Sequence, residues 1–363
     1  MIISMNTSSK KSFFSFVIDY IMYSNHTTYS TSGNPTSVAV ADLNGDNKPD
    51  IVVGHLDANN IGVLLNKGNG TFRDQMTYAT SSSPRSVAVG DLNGDNKPDI
   101  VTANFFTHDV GIFLNVGNGT FLGEAKYSAG TNPRSVAVID VNGDNKSDII
   151  VGNWGSSNIG VLINTGNGTS FTQASYPSGV KPLSVTVVDV NDDNKPDIVV
   201  ANSNSDNVGV FLNIGNGTFL TQTTYSTGTQ PESVAVADVS GDYKPDIIVG
   251  NARSNNVGVL LNVGNGTFLD QTPDSTITGG GAVAAADMNN DKKSDILVAN
   301  WNPGTISILL STGDGTFLNQ TNYPTGRGPS SIAVIDVNSD NKPDIVVANY
   351  DSNDVSVLLQ SET

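Results

Sequence analysis

Apolar and polar positions alternate along this chain in short bursts, without a helical period. Ser37–Ala41 (SVAVA) alternates and is β-rich, and Ile51–Gly54 is a continuous apolar run. Ile61–Asn66 is a third run, and Thr71–Thr80, with Phe72 and Tyr78, is a fourth. A polar loop, Asp42–Asp50, separates the first two. The third run ends at Gly68-Asn69-Gly70, residues that tolerate φ > 0 and so signal a hairpin turn. No segment repeats its apolar residues every 3.6 positions, so the pattern predicts four short strands and almost no helix.

This unit recurs. The first Asp of the polar loop falls at Asp42, Asp91, Asp140, Asp189, Asp238, Asp287 and Asp336, every step being 49 residues. Four antiparallel strands in a unit of this length is the pattern of a propeller blade. A solenoid of stacked repeats is the competing architecture. The chain ends discriminate between them. The last unit stops at Gln360–Thr363, after its third strand, and counting back one repeat from Phe72 and Tyr78 gives Tyr23 and Tyr29. Met22–Thr31 therefore reads as an orphan fourth strand that completes the last blade of a ring. The expected fold is all-β: one closed, seven-bladed β-propeller of four-stranded antiparallel blades over 22–363. Residues 1–21 lie outside the repeat and read as a leader or disordered segment, with Lys10-Lys11 before Phe13–Ile18 in the manner of a signal-sequence remnant. No stretch reaches the ~18–20 apolar residues of a membrane-spanning helix.

Composition narrows the function. The 363 residues include no Cys, three His (His26, His55, His108), 18 Lys+Arg and 35 Asp+Glu, for a net charge of −17. Such a balance argues against nucleic-acid binding, which needs a basic footprint. The absence of Cys removes disulfides, iron–sulfur clusters and thiolate zinc. Nothing resembles a nucleophile elbow, a phosphate loop or a His-based zinc site, so the chain is not expected to be an enzyme.

The acids are not scattered: 21 of the 35 occupy the three recurrent acidic positions of the seven loops. Each loop offers oxygen at alternate positions. The first has Asp42, Asn44, Asp46 and Asp50, with the carbonyl of Lys48 between the last two. The others are Asp91, Asn93, Asp95, Lys97, Asp99; Asp140, Asn142, Asp144, Lys146, Asp148; and Asp189, Asn191, Asp193, Lys195, Asp197. Then come Asp238, Ser240, Asp242, Lys244, Asp246; Asp287, Asn289, Asp291, Lys293, Asp295; and Asp336, Asn338, Asp340, Lys342, Asp344. Three carboxylates, an amide oxygen and a carbonyl make a hard, all-oxygen donor set that suits Ca²⁺ better than Mg²⁺, up to seven ions in all. The lysine side chains are expected to point to solvent. The alternative is a set of Asx-turns that stabilise hairpins without metal. An EF-hand is excluded, because its loop needs Gly at position six and Glu at twelve, where this one has Asn47 and Val53. Gly45 and its counterparts hold the fourth position. Asp192, Asn290 and Ser339 replace Gly there, and the loop around Ser339 is the first candidate for altered geometry. Ser240, in place of Asn, is the weaker ligand.

The unit SVAVADLNGDNKPDIVVG, with its GNGTF hairpin, resembles the FG-GAP (VCBS-type) repeat over about 22–363. That family includes integrin α-chain heads and fungal lectins. The resemblance implies a seven-bladed propeller with Ca²⁺ in the loop between a blade's first two strands, and an extracellular setting. An integrin-type adhesion role does not transfer, since no inserted metal-dependent domain is present.

Repeats differ most on the face opposite the acidic loops. The column of Leu56 holds Phe105, Trp154, Ser203, Ala252, Trp301 and Tyr350, including both tryptophans of the chain. The residue before it is His55, then Asn104, Asn153, Asn202, Asn251, Asn300 and Asn349, which reads as a turn-forming position. Arg85, Arg134 and Arg327 lie in the connections of the same face, as do Lys181 and Arg253. Phe105, Trp154, Trp301, Tyr350, Arg85, Arg134 and Arg327 are therefore the candidate ligand residues. They suit a glycan, or an extracellular protein partner, bound by a monomeric module. The alternatives are aromatics that only cover hairpins, a scaffold with no small ligand, and a lyase or hydrolase on the same fold.

Overall fold

In the computed structural model, which describes residues 21–23, 26–274 and 281–361, each unit folds into one antiparallel blade. The first blade runs Pro35–Ala41, Asp50–His55, Asn60–Leu64 and Met76–Ala79, in that spatial order. Seven such blades form the ring. The first strands lie side by side around the axis, and the second strand is buried along its whole length. That burial explains the unbroken run Ile51-Val52-Val53: a strand covered by a blade on each side has no solvent face to alternate toward. The short 3₁₀ turn Ser203–Ser205 is the sole helix among the described residues.

The third and fourth apolar runs are each cut in two. The blade keeps Asn60–Leu64 and Met76–Ala79, while Asn66–Gly68 and Thr71–Phe72 pair as a separate two-stranded ribbon. The third blade instead has continuous strands Asn158–Gly166 and Ser170–Pro177, and the sixth and seventh reduce the ribbon to the single bridges Ser311–Phe317 and Tyr23–Gln360. In the third, Ser170 stands in the Phe column and the aromatic is displaced to Phe171. The ladder pairs Gly166 with Ser170 and Asn164 with Phe171, a turn one residue longer than in the first blade.

The ring closes through the N-terminal strand. Thr27–Ser30 pairs antiparallel with the last strand, Asp354–Leu358, and Tyr23 bridges to Gln360. Residues 1–20 of the expected leader lie outside the described residues. Aromatic contacts run through the closure. In the regular blades the Tyr of one outer strand meets the Phe of the next blade edge-on, as Tyr78 does Phe121 at 5.5 Å. Tyr29 meets Phe72 at 5.5 Å, and Tyr23 takes the Phe position against Tyr323 at 5.0 Å.

The core is divided into seven apolar clusters, each lying between two blades. One joins Val38, Ile51 and Leu64 of the first blade to Val337, Val346 and Val357 of the last. Two rings of hydrogen bonds reinforce these interfaces. On the acidic-loop face, Asn115 Nδ2 donates to the Leu43 carbonyl of the preceding blade at 2.9 Å. Asn66, Asn164, Asn213, Asn262, Ser311 and Gln360 do the same at the other six interfaces. Around the channel, the Val87 N–H donates to Ser37 Oγ at 3.2 Å, and five equivalent bonds follow. The seventh position is Ala282, which has no hydroxyl. Gly70 shows how tightly the hairpins seat. Its φ is +67°, and a Cβ there would lie 2.5 Å from Leu359 of the neighbouring blade.

Candidate functional site

The acidic loops close on themselves. Asp42 Oδ1 accepts N–H groups from Asn44, Gly45 and Asp46 at 3.2, 2.8 and 3.1 Å, and Oδ2 accepts that of Asn47 at 2.7 Å. Asn44 Oδ1 accepts the Asp46 N–H, and Asp46 Oδ1 accepts that of Lys48. Two positions per loop need positive φ, the fourth and the sixth, as at Gly45 (78°) and Asn47 (60°). The sixth was not anticipated from the sequence; its recurrent Asn was the available signal. Tyr243 and Lys292 occupy it in the fifth and sixth loops. The loop around Ser339 keeps the regular geometry, with four N–H groups on Asp336, so the expected distortion is absent there. The departure is at Ser240, whose hydroxyl donates to Asp242 Oδ1 at 3.2 Å where Asn44 accepts.

The ninth residue has a structural task. Asp50 is fully buried; its Oδ2 accepts the Leu43 N–H at 3.0 Å and its Oδ1 the Asn66 N–H at 2.7 Å. It thereby ties the acidic loop to the latch residue Asn66. Burial, with repulsion from Asp46 and Asp42, pushes its carboxyl up to about 6, against the pull of both N–H bonds. The Lys48 side chain stays at the surface, and its Nζ lies 3.3 Å from the exposed Asp46 Oδ2. Lys97, Lys146, Lys195 and Lys244 repeat the contact. The all-oxygen donor set suits a hard cation. Among the described residues, however, no three acidic or His side chains are gathered as a group that could hold a metal ion.

The opposite face is built on a β-bulge. Pairing shifts between Pro35 and Ser37, leaving Thr36 unpaired. Consecutive residues then both face the channel, which strict alternation forbids. The bulged column reads Thr36, Arg85, Arg134, Leu183, Glu232, Gly281, Ser330. It opens into a cavity of about 450 Å³ at the channel mouth, lined by Arg85, Arg134, Glu232, Trp301, Tyr350 and neighbouring polar groups. Burial, then repulsion from Arg85, pushes Arg134 down to about 10, while burial raises Glu232 against the pull of Arg134. Glu232 was not among the residues expected from the sequence. The signal for it was the variable column inside an otherwise repetitive strand.

The candidate ligand residues separate into groups. Arg85, Arg134, Trp301 and Tyr350 line the mouth, with Trp301 and Tyr350 5.3 Å apart and tilted by 42°. Phe105 supports Arg85, whose guanidinium carbon lies 5.2 Å above the ring. Trp154 packs on Phe105 at 5.8 Å and is capped by Lys181 Nζ at 4.4 Å. Neither Phe105 nor Trp154 lines the cavity. Arg327 is exposed on the rim and is not part of the mouth. The recurrent Asn is a turn group: Asn153 Nδ2 donates to Asn158 Oδ1 at 2.9 Å, and His55 Nδ1 meets Asn60 Oδ1 at 2.8 Å.

Several solved structures share the fold. BBS1N, from its complex with ARL6DN, superposes with a TM-score of 0.65 at 14% identity, covering 94% of this chain and 98% of its own. Virginiamycin B lyase from Staphylococcus aureus gives 0.64 at 15% identity, covering 92% and 98%. An Agrocybe aegerita lectin, described by its specific recognition of non-reducing terminal N-acetylglucosamine, gives 0.57 at 19%, covering 89% and 87%. These neighbours differ in function, so the likeness carries the fold alone. No curated protein sequence matches the chain. No helix among the described residues is long and apolar enough to cross a membrane. The FG-GAP-like repeat profile matches six times, at 42–102, 91–151, 140–200, 189–249, 241–298 and 287–347, and the chain belongs to that family.

Proposed function

We propose that this propeller is an extracellular binding module that takes a carbohydrate at the channel mouth, with Ca²⁺ in its acidic loops. The observation that carries the reading is the cavity itself. An exposed Trp301 beside Tyr350 offers ring faces, and Arg85, Arg134, Glu232, Asn300 and Asn302 offer hydrogen-bonding groups around them. A few polar groups converging in a cavity of this size are what a small-ligand site requires. Binding without catalysis fits the lining better, since Glu232 is its one carboxylate and no His faces it. A glycan array tests this. Trp301→Ala abolishes binding, Trp154→Ala leaves it intact, and the melting temperature stays unchanged in both. Binding retained by Trp301→Ala, or absent from wild type, refutes the mouth as the site.

The Ca²⁺ reading rests on the crowding of three carboxylates in each nine-residue loop and on the raised Asp50 carboxyl, a cost that a cation would relieve. Millimolar Ca²⁺ outside cells would fill even weak sites. A thermal melt with Ca²⁺ against chelator tests it. A rise of several degrees is expected, because a ligand of the native state stabilises it. No shift returns the loops to metal-free Asx-turns.

One observation favours a second reading, an assembly scaffold. Val116, Leu122, Ile214, Leu220, Val263 and Leu269 are exposed at equivalent positions in and beside the ribbons. Self-association or a protein partner that is lost on Ile214→Ser with Leu220→Ser, with glycan binding untouched, would support it.

A further inference from the structure

We propose that the channel mouth selects a sugar carboxylate: a uronate-bearing glycan whose acid group sits between Arg85 and Arg134. This rests on the carbohydrate reading of the mouth and adds its charge class.

Arg85 and Arg134 occupy the same bulged position in neighbouring blades, so both guanidiniums reach one cavity. Among the described residues neither makes a salt bridge or a hydrogen bond through its side chain. The Nε of Arg85 is buried without a partner, and the Phe105 ring lies 5.2 Å beneath its guanidinium carbon. Burying charge without a hydrogen-bonded counter-group is costly, so the pair is poised for an acceptor. Planar guanidiniums match a carboxylate through two parallel N–H···O bonds.

Charge decides between anions. Glu232, on the same column, lines the cavity and offsets one of the two arginines. The remaining +1 matches a carboxylate. A phosphate dianion would bring a second negative charge against Glu232 in a chain of net charge −17. Glu232 instead suits the hydroxyls of a sugar ring as a hydrogen-bond acceptor. Trp301 and Tyr350 provide apolar surface for the ring face on the far side of the mouth.

The experiment is calorimetric titration of the full chain, in Ca²⁺-containing buffer, with oligosaccharides ending in glucuronate or galacturonate and with their glucose or galactose counterparts. The uronates should bind at least tenfold more tightly, and the preference should shrink as salt is raised. Arg134→Gln should remove the preference, bringing the uronate affinity down to that of the neutral sugars. Its melting temperature should hold or rise, since a desolvated charge is gone. Trp301→Ala should weaken both series. Equal binding of acid and neutral sugars, or an Arg134→Gln variant that keeps the preference, overturns the proposal but leaves the carbohydrate reading standing. Binding of neither series, with the protein folded, overturns both. Tighter binding of inorganic phosphate than of the uronates overturns the charge argument.

Discussion

The ring of channel serines is complete at six interfaces and broken at one. Ser37, Ser86, Ser135, Ser184, Ser233 and Ser331 each accept the N–H of a residue in the next blade, at 3.1–3.3 Å. The seventh member is Ala282, packed beside Ile332, whose N–H would be the matching donor. The local backbone is in place, since Ala299 N–H donates to the Ala282 carbonyl at 2.8 Å. Ala282→Ser should therefore add one inter-blade bond. Bonds of this length lie at the long end of the range, so a gain of about 0.5–1 kcal/mol is expected. Removing an existing bond by Ser135→Ala leaves the Val185 N–H without its acceptor and should cost about 1–2 kcal/mol. The unfolding entropy of a ring this long is about 0.7 kcal/mol per kelvin, so the shifts are about +1 °C and about −2 °C. Differential scanning calorimetry resolves them. The sites are distant, so the shifts should add and the double variant should melt about 1 °C below wild type. If Ala282→Ser is neutral or destabilising while Ser135→Ala costs nothing, the serines are idle channel lining and the interface account fails.

Three further outcomes are expected. Deleting residues 1–31 removes the Thr27–Ser30 pairing and the Tyr29–Phe72 and Tyr23–Tyr323 contacts, and should lower the melting temperature by about 5 °C or more; an unchanged melt argues against ring closure by this strand. Asn115→Ala loses bonds to Leu43, Pro98 and Gly117 and should cost about 2–3 kcal/mol in urea unfolding, whereas Asn115→Ser, which copies the Ser311 latch of the sixth blade, should cost clearly less. Burial lowers His55 to about 4, so the native state resists its protonation; stability is present above pH ~6.5 and is lost toward pH 4, by at most about 3 kcal/mol. Comparing wild type with His55→Asn across that range isolates the term: the difference should grow on acidification, and a constant difference refutes it.

What the sequence made legible follows from repetition. Seven copies in one register expose the strands, the loop and the permuted end, because a ring needs Tyr23 and Tyr29 at the start to complete a blade at the finish. Three features were hidden for physical reasons. The ribbon was hidden because Leu65 continues the apolar run although the sheet has ended; Arg73 N–H bonds the Leu65 carbonyl across the break. The task of Asp50 was hidden because a carboxylate that accepts two N–H groups looks, in a string of letters, the same as one that waits for a cation. The mouth was hidden because a bulge breaks the two-residue alternation, so Arg134 and Ser135 share a face that the pattern assigns to one of them. Trp154 was misleading for the opposite reason: it shares a column with Trp301, but Lys181 covers it.

The bulge also divides labour within each blade. Serine in the following column and asparagine at the latch carry the inter-blade bonds, while aspartate at the ninth loop position anchors the latch within its own blade. The bulged residue carries none of them, except that Thr36 and Ser330 each reach a neighbouring blade's Pro carbonyl. Around the rim, that column spells Thr-Arg-Arg-Leu-Glu-Gly-Ser. It is a seven-letter word written on a frame that holds together largely whatever the word says. Selectivity at the mouth can thus be respelled one blade at a time, by exchanging single letters, without renegotiating the ring.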